Sequence, residues 1–419
     1  MEDLENEKVK KEKPKKRKKV KPYKKAPNWM FWILRRTLGP MLKSKYKYSF
    51  DKSTSKGITR PCLILSNHQT GFDQFAVGLG FKFAMNFVAS DTLFKHGIGS
   101  FLMKHLGRPI PFTKGASDPI AVKSMMQVIS AGGAVGIFAE GARSFFGETM
   151  RIQPGTARLA KKFAVPLVLV QLRGGYLTKP RFKTVKNKGK CTGQVVRVVS
   201  VEELKALTND ELEAIIKESL YVNEFDYNKE AKIEFKGKAK AEHLESILFY
   251  CPSCGGYDCL NTQVHDLWCN KCKVRVTVDD YGFFVNAPSN TTQLPATILD
   301  WSKLQIDFIK AFDYNAFGDK PIFKEDSVEM FKAIRAKKQD ESISGSLELY
   351  TDKFVACGKE FYFKDITSIS MNDVKKISFY TATDTYSITA PLKTNLAKYM
   401  FCGYHLKNTA EGKEEFYGY

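Results

Sequence analysis

The sequence predicts an α/β domain with a mixed sheet flanked by helices, followed by a small cysteine-rich ribbon and a C-terminal α+β domain. Three observations carry this. Short apolar runs alternate with helical stretches from about residue 58 to 200, the pattern of a sheet covered by helices. Two CxxC knuckles follow, at 251–254 and 269–272. From Gly345 closely spaced strands take over and a helix closes them. A chain of 419 residues exceeds one ordinary domain, and 43% hydrophobic content excludes global disorder. The predicted units are an arm at 1–27, the α/β domain at 28–235, the ribbon at 236–290 and the C-terminal domain at 291–419.

The arm comes first. Residues 8–25 hold 12 Lys or Arg against one acid, about half of the formal charge of +21. Such a block repels itself and stays solvated, so it seeks a polyanion or serves only as a solubilising tail. Residues 28–44, NWMFWILRRTLGPMLKS, set two Trp and several aliphatics beside Arg35, Arg36 and Lys43. That suits a helix lying in a headgroup layer as well as a first buried helix, and it favours an anionic membrane surface as the arm's partner. Nucleic acid is not the expected partner, since Tyr23 is the sole aromatic interleaved with the arm's cations. No stretch of 18 apolar residues occurs, so no spanning helix is expected. The start does not read as a secretory signal. The nine cysteines are then expected as reduced thiols, and the protein as a peripheral one on the cytoplasmic side of a membrane.

Within the α/β domain, strands are expected at 62–66, 86–89, 110–112, 134–139, 166–172 and 194–199. Helices are expected at 73–80, 100–106, 119–131, 156–163 and 201–219. Further on, 298–312 and 325–338 read as helices, then strands at 346–350, 353–357, 360–363, 376–380 and 386–389, and a helix at 392–406.

Two motifs follow predicted strands, where sheets of this kind carry their chemistry. The first is Asn67-His68-Gln69-Thr70-Gly71-Phe72-Asp73. An aspartate five residues beyond a histidine can fold back onto the imidazole, hold one ring nitrogen protonated and leave the other as a base. Alone, such a pair is usually an incidental surface feature. The second is Phe138-Ala139-Glu140-Gly141-Ala142-Arg143-Ser144. Arginine's planar fork suits two phosphate oxygens, and Glu140 can orient it or the loop backbone. An ordinary turn with a surface ion pair reads the same way.

Together, NHxxxxD and FxEGxR some 70 residues later resemble the glycerolphosphate and lysophosphatidate acyltransferase family. Gly107-Arg108-Pro109-Ile110-Pro111-Phe112-Thr113-Lys114 stands in the place of that family's middle block, and Pro166-Leu167-Val168-Leu169-Val170 resembles its fourth. Gln153-Pro154-Gly155-Thr156 is similar to the segment between the third and fourth. The resemblance implies transfer of an acyl group from acyl-CoA or acyl-carrier protein to the hydroxyl of a lysophospholipid, with 1-acyl-glycerol-3-phosphate, giving phosphatidate, as the expected acceptor. It implies His68 as general base and Asp73 as its orienting partner. Arg143, with Glu140 and Gly141 shaping its loop and Lys114 as a second cation, would hold the acceptor phosphate. No catalytic cofactor is implied. Ala139, Ala142 and Lys114 depart from the family's usual Pro, Thr and Arg, which leaves another lysolipid acceptor open.

Cys251, Cys254, Cys269 and Cys272 give C-x2-C-x14-C-x2-C, the spacing of a four-thiolate zinc site. Four thiolates leave no open position, so a structural zinc is expected, in a self-supporting module between the larger domains. The strand order of 345–406 resembles a small barrel of the pleckstrin-homology or GRAM type.

Overall fold

A computed structural model describes residues 23–90, 107–112, 118–333 and 342–413. Most of the basic arm, the candidate helix at 100–106 and Lys114 lie outside the described residues.

The first unit opens with α1 (Asn28–Tyr46) and continues through β1 (Ser49–Phe50), β2 (Cys62–Ser66), α2 (Asp73–Gly80), β3 (Asn86–Ser90) and β4 (Ile110–Phe112). It proceeds with α3 (Pro119–Ser130), β5 (Ala134–Phe138), α4 (Thr156–Phe163), β6 (Leu167–Arg173), the short α5 (Gly175–Thr178) and β7 (Thr192–Val199). The strands form one sheet in the order β1-β7-β6-β2-β5-β3-β4. Pairings are parallel except between β6 and β7, so the sheet is mixed.

β2 is the central strand and all five of its residues are buried, which is why CLIL reads as an unbroken apolar run. Its side chains alternate across the sheet. Leu63 and Leu65 join Met125 and Val128 of α3 and Ala157 and Phe163 of α4 on one face. Cys62 and Ile64 join Leu42 of α1 and Val77 of α2 on the other. The helix expected over 201–219 is two helices, α6 (Val201–Ala206) and α7 (Asn209–Leu220). The break arises because Thr208 caps α7 in a reciprocal box with Glu211. α8 (Glu224–Ala231) follows, capped by Asn223.

The cysteine-rich unit is a four-stranded antiparallel sheet of β8 (Leu260–Gln263), β9 (Asp266–Cys269), β10 (Arg275–Val278) and β11 (Phe284–Asn286), ordered β11-β10-β9-β8. Ahead of these strands, Tyr250 and Tyr257 form a single antiparallel bridge across the first knuckle.

The third unit begins with α9 (Ile298–Ala311) and β12 (Phe323–Ala333). It continues with β13 (Ile343–Leu349), β14 (Lys353–Ala356), β15 (Lys359–Tyr362), β16 (Ile366–Asp373), β17 (Lys376–Thr381) and β18 (Thr385–Thr389). The antiparallel sheet runs β15-β14-β13-β12-β18-β17-β16, and α10 (Leu396–Ala410) packs on it. β12 corrects the expected helix over 325–338. Its Glu, Met, Lys and Ala are helix formers, but Val328 and Met330 are buried with Glu329 exposed between them, and the strand is hydrogen-bonded on both sides. Pairing and burial outweigh a propensity of a few tenths of a kcal/mol per residue, roughly.

One apolar cluster runs from Phe145, Phe146 and Tyr176 through the ribbon's Leu267 and Val276 to Phe354 and Phe401. The ribbon is therefore not a separate spacer, as its composition suggests, but shares its core with both neighbours. Among the described residues no helix is long and apolar enough to cross a membrane.

Candidate active site

The carboxyl ends of β2 and β5 bring both sequence motifs to one edge of the sheet, because the two strands pair in parallel from Cys62–Ala134 to Ser66–Phe138. Asn67 anchors the first loop: its side chain donates to Leu172 O at 2.9 Å and accepts from Leu172 N at 2.7 Å, fastening the end of β2 to β6. The chain then turns, and Asp73 opens α2 with its carboxylate folded back.

Asp73 Oδ2 lies 2.8 Å from His68 Nδ1. A carboxylate only accepts, so Nδ1 carries the proton and Nε2 is the nitrogen left to act as a base. The same oxygen accepts from the N–H groups of Gln69 at 2.5 Å and Thr70 at 2.8 Å, and Oδ1 accepts from Thr70 Oγ1 at 2.5 Å. Four donors thus fix one buried carboxylate.

The second motif grips His68 from beneath. Glu140 Oε1 accepts from His68 N at 2.5 Å, and Oε2 accepts from Met150 N at 2.6 Å. Ser144 N donates to His68 O at 2.9 Å, so both backbone polar groups of the histidine are held by residues 140–144. The imidazole lies parallel to the Phe138 ring, 4.1 Å between centroids and 15° apart, and Phe87 stacks behind Phe138 at 5.7 Å. A cation formed on the imidazole would face the negative side of an aromatic ring. Gly136 makes room for this stack: a Cβ there would stand 2.6 Å from the Phe87 ring. Gly141 turns the loop at φ +70°, a conformation that costs other residues about 1–2 kcal/mol.

Glu140 is fully buried with each oxygen on a backbone N–H. It shapes the two loops rather than presenting a carboxylate to a ligand. Burial pushes it up to about 8, against the pull of the Met150 and His68 N–H groups. Arg143 is half-buried. Its burial lowers its pKa, opposed by the nearby carboxylates of Asp73 and Asp373. His68, Asp73, Glu140, Gly141 and Arg143 are therefore one cluster, while Lys114 lies outside the described residues.

Sequence reasoning missed the support beneath the first loop. Gln69 Nε2 donates to Glu224 Oε1 at 2.6 Å and Gln69 Oε1 accepts from Gly175 N at 2.9 Å. Glu224, fully buried, also accepts from Gly174 N at 2.7 Å. Burial pushes this second carboxylate up to about 7. Gln69 sits inside the motif, but nothing local marks Glu224 as its partner.

The four knuckle cysteines converge separately. Their sulfurs lie within 4.8 Å of one another, with Cys251–Cys272 at 3.7 Å and Cys254–Cys269 at 3.8 Å. Tetrahedral thiolates about 2.3 Å from a zinc ion stand roughly 3.8 Å apart, so the set fits a closed four-sulfur metal site. Burial works to raise the Cys269 thiol, but the N–H groups of Cys272 and Lys271 and the thiols of Cys259 and Cys272 outweigh it and bring it to about 7. Cys259 Sγ stands 3.5 Å from Cys269 Sγ, beside the cluster rather than in it.

The acyltransferase family pattern matches residues 46–172. The chloroplastic 1-acyl-sn-glycerol-3-phosphate acyltransferase of Brassica napus is 27% identical over 134 residues, 30% of this chain and 39% of that protein. The chain thus spans about two fifths of the length of the curated relative it matches. The crystal structure of the 1-acyl-sn-glycerophosphate acyltransferase of Thermotoga maritima aligns at 19% identity with a TM-score of 0.36, covering 46% of this chain and 91% of that one. Both motifs lie inside the matched segment and at the carboxyl ends of paired strands, so residues 46–172 form an acyltransferase-type domain.

Proposed function

We propose that the chain transfers an acyl group from an acyl thioester to the free hydroxyl of a lysophospholipid, with 1-acyl-glycerol-3-phosphate as acceptor. The observation that carries the reading is the His68–Asp73 contact of 2.8 Å, held from below by Glu140 and Ser144 and beside the Arg143 loop. In this reading His68 Nε2 takes the proton of the acceptor hydroxyl as that oxygen attacks the thioester carbonyl. Asp73 stabilises the resulting imidazolium, which then returns the proton to the departing thiolate. Arg143 holds the acceptor phosphate, with Lys114 as a second cation.

The reaction is assigned to the surface of an anionic bilayer. Trp29, Trp32 and Ile33 of α1 are exposed, Arg36 lies 3.6 Å over the Trp32 ring, and the arm precedes them; aromatic and basic groups together suit a headgroup layer. Cys251, Cys254, Cys269 and Cys272 hold a structural zinc in this reading, supported by their sulfur spacing. The seven antiparallel strands and α10 support a pleckstrin-homology or GRAM-type module as the third unit.

The test is thiol release by purified protein given acyl-CoA and a panel of lysolipid acceptors. Release should require lysophosphatidate and vanish in His68→Ala with the fold intact. Persistence in that variant would remove the mechanism, and release with a different lysolipid only would move the acceptor.

A further inference from the structure

The last residues of the basic arm are fastened to the α/β domain. Ala26 N donates to the buried Asn86 Oδ1 at 2.8 Å, and Asn86 Nδ2 donates to Lys24 O at 3.2 Å and to Arg108 O at 2.8 Å. Arg108 NH1 donates to Lys25 O and Tyr23 N donates to Gln127 Oε1 of α3, both at 2.8 Å. Residues 23–28 thereby become one wall of a cleft of about 950 Å³, whose other walls are Arg60, Arg108 and α3.

This cleft lies at the amino ends of the strands. Arg60 precedes β2, Asn86 opens β3, Arg108 precedes β4 and Ala131 precedes β5. His68 and Asp73 follow the carboxyl end of β2, so that strand's five residues, roughly 16 Å at full extension, separate them from the cleft. The charge here is one-sided. Lys24, Lys25, Arg60, Arg108 and Lys123 line the cleft, and among the described residues no Asp or Glu does. None of the five is paired with a carboxylate, whereas Lys217, Lys353 and Lys407 elsewhere each are. A concave wall of one sign draws a counter-ion, and the planar forks of Arg60 and Arg108 suit phosphate oxygens.

Apolar neighbours favour a lipid over a dissolved phosphate. Met126 is exposed on the α3 wall, and α1 begins at the cleft's own Asn28 with Trp29, Trp32 and Ile33 exposed. Such groups suit the boundary between headgroups and acyl chains. The 19 residues of α1, about 28 Å of helix, then run to Tyr46, whose ring packs 5.2 Å from Phe72 of the first motif. One end of α1 therefore meets the cleft and the other meets the loop of the base.

We propose that this cleft seats the phosphate headgroup of an anionic phospholipid, and that α1, lying on the bilayer from there, sets the His68 loop at the membrane surface. The proposal rests on the assignment of the protein to an anionic bilayer, and it replaces a diffuse attraction by a defined seat away from the acyl-transfer centre.

The experiment is sedimentation of the full chain with phosphatidylcholine vesicles, with and without phosphatidylglycerol. Arg60→Gln combined with Lys123→Gln removes one cation from the loop before β2 and one from α3. Affinity for the anionic vesicles should fall about tenfold, with an unchanged thermal midpoint because neither side chain is buried. Lys205→Gln combined with Lys229→Gln removes the same charge from exposed positions of α6 and α8 and should cost less than about twofold. Equal losses in the two pairs would overturn the seat in favour of diffuse attraction. Anionic-vesicle binding that is unchanged by the first pair overturns the seat alone. Equal binding of the wild type to neutral and anionic vesicles removes the bilayer assignment and the seat with it. Soluble glycerol phosphate that raises the thermal midpoint of the wild type but not of the first pair, with vesicle binding alike in both, would make the cleft a site for a dissolved phosphate and overturn the lipid.

Discussion

Replacing Asp73 by Asn tests the base assignment with little disturbance of the fold. The side chain is the same size, and one carbonyl oxygen can still accept from His68 Nδ1, Gln69 N and Thr70 N, all of which now use Oδ2. The new amide nitrogen would face Thr70 Oγ1, a hydroxyl that can accept as well as donate. What disappears is the negative charge beside the imidazole. With a contact of 2.8 Å and a carboxylate side chain only 5% exposed, solvent screens the pair little. Unit charges whose centres are about 4 Å apart attract by about 4 kcal/mol at an effective dielectric near 20. A transition state that places a proton on His68 loses that stabilisation, and about 1.4 kcal/mol is a factor of ten in rate. Asp73→Asn should therefore slow acyl transfer by about a thousandfold, with folding stability within about 1 kcal/mol of wild type. Thiol release at saturating acyl-CoA and lysophosphatidate reads the first quantity and urea unfolding the second. A loss smaller than about tenfold in a folded variant would refute the argument, because a carboxylate in that position could not then be stabilising an imidazolium.

Three further outcomes are expected. Glu140 and Glu224 are raised by burial to about 8 and about 7 from an ordinary 4.5, so the stability they allow is fully present below about pH 4.5 and is lost as pH rises through 7 to 8; the thermal midpoint should fall across that window and fall less in Glu224→Gln, and a flat profile in the wild type would exclude the effect. Metal analysis should find about one zinc per chain, and Cys269→Ser should remove it and lower the unfolding midpoint, since metal binding of order 10 kcal/mol is also folding free energy; a metal-free protein as stable as the wild type would end that assignment. Trp29→Ser should weaken binding to anionic vesicles by roughly tenfold, the scale of about 1.5 kcal/mol for one buried apolar side chain; equal retention of variant and wild type in sedimentation would show that α1 does not enter the interface.

The parts of the site that could be read in advance are those confined to one loop. His68 and Asp73 are five residues apart at the mouth of a helix, a spacing that itself implies the contact. The partners of each loop could not be read, because they come from elsewhere in the chain: Glu140 reaches His68 N across 72 residues and Glu224 reaches Gln69 across 155. No periodicity encodes such pairs. The same division holds for the fold. β2, fully buried, was evident from CLIL, since a strand covered on both faces must be apolar throughout. β12 was not, because SVEMFKA has the composition of a helix and only its hydrogen bonding to β13 and β18 makes it a strand. The split between α6 and α7 was encoded locally, in Thr208 and Glu211, but a continuous amphipathic pattern hid it.

The apolar cluster that runs from Phe145 to Phe401 has a practical corollary for anyone cutting this chain. A fragment ended after α8, at the natural-looking boundary of the sheet, would uncover Phe145 and Phe146, whose rings pack on Phe401. Such a raw aromatic patch invites self-association. Attempts to express the half that bears His68 alone should yield aggregates unless the ribbon and the C-terminal sheet travel with it.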